Sequence, residues 1–221
     1  MKLFIRALLA FVCGFAMCAA LLFLPAGTVN YPGAWLFLAL LFIPMLILGA
    51  VLLIRSPGLL RERLNGREKQ KSQQGVMGLA ALVIFASFIV SAVDFRFGWT
   101  DVPGWLMAAA AVVQLAGYGL YGEVMRENAW VSRTVKVQQG QKLVDTGLYG
   151  VVRHPMYMAA SAMFLAMPLV LGSWIGFAVM LLFPLAMAWR IFEEEKLLVS
   201  ELDGYEDYRR RVRWRMIPFV W

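Results

Sequence analysis

Residues 147–157 run Gly-Leu-Tyr-Gly-Val-Val-Arg-His-Pro-Met-Tyr. Three side chains there carry chemistry: Arg153, His154 and Tyr157. Pro155 suits the first turn of a helix, where its missing N–H costs nothing. A helix that starts there points free backbone N–H groups and its positive dipole end past His154, an arrangement that favours an anion. Arg153 and His154 add donors, and Tyr157, one turn in, offers a ring face or a hydroxyl. An interfacial anchor, with Arg and Tyr at headgroup depth, would use the same residues. A second group follows at Trp189-Arg190-Ile191-Phe192-Glu193-Glu194-Glu195-Lys196. Arg190 and Glu194 are four apart and share a helix face. Glu193 and Glu195 point to other faces, and one of the three acids is expected to be only solvated. Charges this close to hydrocarbon are costly and usually face the protein interior or a functional path, although a simple charge cap on a helix end reads the same way.

The elements that hold these two groups are membrane helices. Of 221 residues 61% are hydrophobic and 16% charged, against roughly 45–50% and 25% in soluble domains. Mean hydropathy is +0.68. The chain therefore reads as an all-α integral membrane protein with about six transmembrane helices, at residues 7–26, 33–54, 76–93, 104–122, 155–171 and 173–191. Only Gly172 and Ser173 part the last two, which form a C-terminal helical hairpin. His154 and Arg190 then lie at the same depth on neighbouring helices. Residues 1–122 form four N-terminal spans. Residues 123–221 form a C-terminal region of loop, hairpin and amphipathic tail.

Charge supports this count. With the N-terminus inside, Arg96 is the one basic residue of the 21 Lys and Arg that falls in an outer segment, as the positive-inside rule requires. A multi-pass protein with both termini cytosolic follows, in the inner membrane of a bacterium or the endoplasmic reticulum of a eukaryote. The net charge of +7 reflects orientation and anionic lipid, so the bilayer is a partner and nucleic acid is not. Metal is excluded too. His154 is the single histidine, and Cys13 and Cys18 sit inside the first apolar run, too few ligands for a Cys/His zinc site. The outer loops are short. The inner segments 55–75, 123–154 and 192–221 are long and polar, so function belongs on that side. Residues 55–74 read as a basic, Gln-rich loop that fixes topology.

Gly117-Tyr118-Gly119-Leu120-Tyr121-Gly122 matches the dinucleotide fingerprint by letter alone. That motif needs a strand before it, whereas this one lies inside the fourth span, where glycines allow close helix packing. In the tail, Leu197, Leu198 and Leu202 make one apolar patch, and Tyr205, Tyr208 and Val212 recur at helical spacing. Arg209–Arg211, Arg213 and Arg215 would face headgroups. Such a tail either roofs the site or anchors at the interface.

Taken in order, Val137-Gln138, Gly147-Leu148-Tyr149, Arg153-His154-Pro155-Met156-Tyr157, Arg190 with Glu194-Glu195, Leu197-Leu198, Tyr205-Glu206-Asp207-Tyr208, Val212, Arg215 and Pro218 resemble the isoprenylcysteine carboxyl methyltransferase family. They resemble the membrane phospholipid N-methyltransferases more loosely. The likeness spans residues 128–221 and implies that the region 123–221 is the cofactor-binding catalytic one. It implies S-adenosylmethionine as cofactor, held without a Rossmann fold by Gln138, Gln141, Lys142, Leu143, Val144, Tyr149, His154, Pro155, Met156, Tyr157 and Glu194. It implies that Arg190 faces the methyl acceptor, so that Arg190 and Glu194 are the catalytic pair. The cofactor's carboxylate suits the His154 helix end and its ammonium suits Glu194. The acceptor would be lipophilic, most simply an isoprenylcysteine-like carboxylate, with a lipid amine as the alternative. A membrane reductase using NADPH and a non-enzymatic scaffold are the rival classes. Glu193, a third acid before the pair, departs from the family pattern.

Overall fold

An α-helix rises 1.5 Å per residue, so each long apolar run can cross about 30 Å of hydrocarbon while bonding its own backbone. The computed structural model describes residues 2–65, 71–131 and 137–221, and no strand occurs among them. The helices are α1 (Lys2–Ala26), α2 (Pro32–Arg55), α3 (Pro57–Asn65), α4 (Lys71–Phe97), α5 (Gly104–Glu127), α6 (Pro155–Val170), α7 (Trp174–Met180), α8 (Leu182–Glu201) and α9 (Tyr205–Arg211). Five stretches are long and apolar enough to span: α1, α2, Gln73–Phe97 of α4, α5, and Trp174–Glu201 of α7 and α8. The sixth expected run is the shorter α6, with 16 residues. Large apolar side chains line the outside, among them Leu24, Ile54, Trp105, Val112 and Leu185. In water so wide an apolar surface would drive aggregation; in a bilayer it matches the solvent. The interior is built from Leu22, Leu38, Met167, Met180 and Ile191, one each from α1, α2, α6, α7 and α8.

The helices alternate in direction as the hydropathy implies. At one end Leu3 and Ala7 of α1, Leu52 of α2, Leu60 of α3 and Met125 of α5 pack together. At the other, Tyr31 Oη donates to Leu171 O (2.6 Å) and Trp174 N donates to Thr100 Oγ1 (3.1 Å). Arg96 lies at this second end, beside Gly27.

Three local differences from the sequence reading have physical causes. Within the expected loop 55–74, Pro57 opens α3, whose Leu60 buries against Leu52 and Met125. Arg67, Lys69, Arg133 and Lys136, counted above as inner charges, lie outside the described residues. Helix α4 runs on through Asp94, which was expected in an outer loop. There Asp94 is fully buried and accepts hydrogen bonds from Thr100 N (2.8 Å), Thr100 Oγ1 (2.5 Å) and Ser173 Oγ (2.5 Å). The last span breaks at Leu181, three residues before Pro184. Proline has no N–H for the carbonyl four residues back, so Met180 O loses its helical donor. The glycine motif of α5 resolves as helix packing. A Cβ on Gly117 would stand 2.4 Å from Met163 Cγ and 3.2 Å from Ala159 O of α6, while Gly119 and Gly122 meet open space.

Candidate active site

A cavity open to solvent lies where the α6 N-terminus, the last turns of α8, the loop after α5 and helix α9 converge. The loop comes first. Asn128 caps the end of α5, and its side chain holds Trp130 N (2.9 Å) and Tyr149 Oη (2.9 Å). Gln138 Nε2 donates to Trp130 O (2.7 Å), and Gln141 Oε1 accepts from Gln138 N (2.9 Å). Gln138 therefore shapes the loop and does not itself line the cavity, whereas Gln141, Lys142, Leu143 and Val144 do. The 3₁₀ turn Gly147–Gly150 then presents Tyr149. Gly147 has φ +56°, and a Cβ there would stand 1.7 Å from Glu127 Oε1. Glycine is required on both counts, because the Glu127 carboxylate takes Leu148 N (3.0 Å) across that gap.

Helix α6 starts at Pro155, as its sequence dictates, with His154 as the residue before it. His154, Pro155, Met156 and Tyr157 all line the cavity. Tyr157 stacks on His154, with centroids 5.8 Å apart. Its hydroxyl accepts from Arg190 Nε (2.7 Å) and donates to Glu194 Oε2 (2.5 Å). The i, i+4 pair on α8 is thus joined through a phenol from α6. Arg190 is buried to 2% exposure, so its charge is matched by Glu194 through that bridge.

Glu195, read from sequence as pointing elsewhere, organises the cavity's other wall. It is 4% exposed. Its Oε1 accepts from Arg153 Nε (2.7 Å) and lies 3.2 Å from His154 Nε2, and its Oε2 accepts from Arg215 Nε (3.1 Å). Arg153 Nη1 also donates to Val212 O (2.6 Å) and Arg213 O (3.0 Å). Two backbone bonds, Arg153 N to Trp214 O (2.9 Å) and His154 N to Arg215 O (2.8 Å), complete the clamp. Arg215 therefore turns inward and lies over Phe192 and Trp221, instead of facing headgroups. Glu193 pairs with exposed Lys196 and is the solvated acid of the three.

The tail roofs the cavity. Leu202, Tyr205, Tyr208 and Val212 bury together against Val137, Leu143 and Leu198. Tyr208 Oη donates to Tyr149 O (2.7 Å). Burial pushes the Tyr205 and Tyr208 phenols above the usual tyrosine value, so both keep their protons. The helical spacing of Tyr205 and Tyr208 was visible in the sequence; their place in the cavity wall depends on the Glu195 clamp. The site thus combines a carboxylate (Glu194), buried guanidinium groups, and apolar and aromatic walls. No cluster able to hold a metal occurs among the described residues.

This geometry has relatives. Residues 105–202 match the phospholipid methyltransferase family model. The structure superposes on that of the eukaryotic intramembrane Ras methyltransferase ICMT, isoprenylcysteine carboxyl methyltransferase, with a TM-score of 0.57. That match covers 97% of this chain and 77% of the other at 18% identity. The fold is ICMT-like. Among curated proteins, methanethiol S-methyltransferase 2 of Bradyrhizobium diazoefficiens is 31% identical over 109 residues, which is 49% of this chain and 40% of that one. A Delta(14)-sterol reductase of Methylotuvimicrobium alcaliphilum is 23% identical over 136 residues, 55% of this chain and 32% of that one. The matches thus span less than half the length of either curated relative. The ICMT likeness extends over nearly the whole fold, whereas the family match begins with α5 and ends where α8 gives way to the tail.

Proposed function

We propose that the protein is an S-adenosylmethionine-dependent methyltransferase acting at the cytosolic membrane interface on a lipophilic acceptor. The observation that carries this reading is the Arg190–Tyr157–Glu194 chain on the wall of an open cavity in an ICMT-like fold. The donor set fits the cofactor. Glu194 suits an ammonium, and Leu143, Val144, Tyr149, Leu198 and Leu202 offer apolar and aromatic walls to an adenine. Bound cofactor supplies an electrophilic methyl group on a sulfonium. Arg190 orients an acceptor carboxylate, for which paired N–H donors are well matched. A carboxylate is already an anion at neutral pH, so the chain's work is positioning and exclusion of water. No proton has to be removed. A thioether carboxylate of the isoprenylcysteine kind satisfies these terms. An amine acceptor would need a base, and Glu194 is the acid placed for it.

The test is equilibrium binding of S-adenosylmethionine and of NADPH to detergent-purified protein, wild type beside Glu194→Ala. S-adenosylmethionine is expected to bind, and the variant to bind more than about tenfold more weakly, since a charge-assisted hydrogen bond contributes about 1.5–3 kcal/mol. Arg190→Ala is expected to abolish methyl transfer while leaving cofactor affinity largely intact. The sterol reductase match favours one second reading, an NADPH enzyme. NADPH binding in place of S-adenosylmethionine would establish it.

A further inference from the structure

Four tyrosines line the cavity, and three of their hydroxyls are committed to the protein. Tyr149 Oη takes the Asn128 amide, Tyr157 Oη bridges Arg190 and Glu194, and Tyr208 Oη donates to Tyr149 O. Tyr205 differs. It is 3% exposed, yet its hydroxyl makes no hydrogen bond among the described residues. A buried hydroxyl without a partner costs about 1–3 kcal/mol, and such groups in a native fold call for an explanation. Packing does not require this oxygen. The ring is held by Tyr208 edge to face, with centroids 5.6 Å apart, and by Leu143 and Leu198, contacts that a phenylalanine would keep. Of the adjacent acids Glu194 and Glu195 on α8, Glu194 lines the same cavity as Tyr205. Glu195 is already held by Arg153 and Arg215, so Glu194 is the acid of the two that remains for a ligand cation.

We infer that the Tyr205 hydroxyl completes the cofactor site by accepting a hydrogen bond from the α-ammonium of S-adenosylmethionine, beside Glu194. This rests on the proposed function and extends it to a residue of the tail. An ammonium has three N–H donors; Glu194 takes one and the Tyr205 oxygen another. The tail then recognises the amino-acid end of the cofactor directly, beyond roofing the cavity.

Tyr205→Phe removes one oxygen and nothing else. Its binding of S-adenosylmethionine and of 5′-methylthioadenosine, which lacks the amino-acid end, is compared with wild type by equilibrium titration, alongside the melting temperature without ligand. Expected is about three- to tenfold weaker binding of S-adenosylmethionine, from one hydrogen bond. Methylthioadenosine affinity should stay the same, and the ligand-free melting temperature should be equal or higher. Tyr208→Phe, which loses a bond within the protein, should lower that temperature. Unchanged S-adenosylmethionine affinity in Tyr205→Phe overturns the inference and leaves the methyltransferase reading standing. Equal weakening toward both ligands overturns it by placing the contact on the nucleoside. A fall in ligand-free stability overturns it by making the hydroxyl structural. Wild-type protein that binds no S-adenosylmethionine overturns the proposed function, and this inference with it.

Discussion

Removing the Glu195 carboxylate should cost far more than removing either neighbouring acid. Two guanidinium groups and an imidazole converge on it, and two of the three, Arg153 and His154, have side chains only 4% exposed. Glu195→Ala leaves the Arg153 guanidinium buried without its counter-charge, a change that costs about 3–5 kcal/mol in buried pairs. Two acceptors remain for Arg153, the carbonyls of Val212 and Arg213, and Arg215 at 30% exposure can return to water. The lower part of the range applies, about 3–4 kcal/mol. For a chain of this size each kcal/mol moves the melting temperature by about 2–4 °C, so a fall of about 6–16 °C is expected. The control is Glu193→Ala. Its partner Lys196 is 71% exposed, and exposed pairs contribute about 0–1 kcal/mol. Both variants and wild type would be melted in the same detergent and followed by intrinsic fluorescence. A Glu195→Ala protein that melts within about 2 °C of Glu193→Ala, well inside the predicted gap, would refute the clamp as the organiser of this end. Arg153→Met combined with Glu195→Leu should recover part of the loss, because it removes the stranded charge as well.

Other expected outcomes can be read in the same melting assay. Gly117→Ala should lower stability by about 1–3 kcal/mol through overpacking against Met163, while Gly119→Ala, facing open space, should be neutral or slightly stabilising. Gly147→Ala should cost at least about 1–2 kcal/mol for its left-handed backbone. Because it also displaces Glu127 from Leu148, it should weaken cofactor binding. Asp94→Ala strips an acceptor from Thr100 and Ser173 at the far end of the bundle. It should lower the melting temperature without altering cofactor affinity, and a drop in affinity would show that the two ends are coupled.

Much of this architecture was legible in residue order because few forces compete in a membrane chain. Apolar runs of sufficient length become helices, and Pro155 fixes where α6 begins. The gathering of Lys and Arg, Arg96 apart, into alternate segments pointed to the alternation. Four-residue spacing placed Arg190 and Glu194 on one face. What was not legible depends on tertiary closeness. Nothing local distinguishes Glu195 from Glu193, since each is one step from Glu194; only the arrival of Arg153 and Arg215 selects it. Gln138 carries a motif position yet turns its amide to Trp130. Pattern alone could not separate a cavity residue from one that braces a cavity loop. Helix α3 was missed because nine polar-rich residues give little periodic signal, and its stability comes from Leu60 meeting helices α2 and α5.

The clamp around Glu195 also joins parts of the chain that are far apart in sequence. Arg153 and its carbonyl partners Val212 and Arg213 are 59 and 60 positions apart in the chain, and Arg153 and Glu195 are 42 apart. Between them lies the whole α6–α7–α8 hairpin, which must cross the bilayer and return before either half of the clamp meets the other. Loops of that length close at an entropic cost, and the hairpin, once packed, has already met most of it. The cavity is therefore expected to form late in folding, when the tail docks on a finished hairpin. A substitution that slows insertion of the hairpin should first register as a lost site, far from the residue changed.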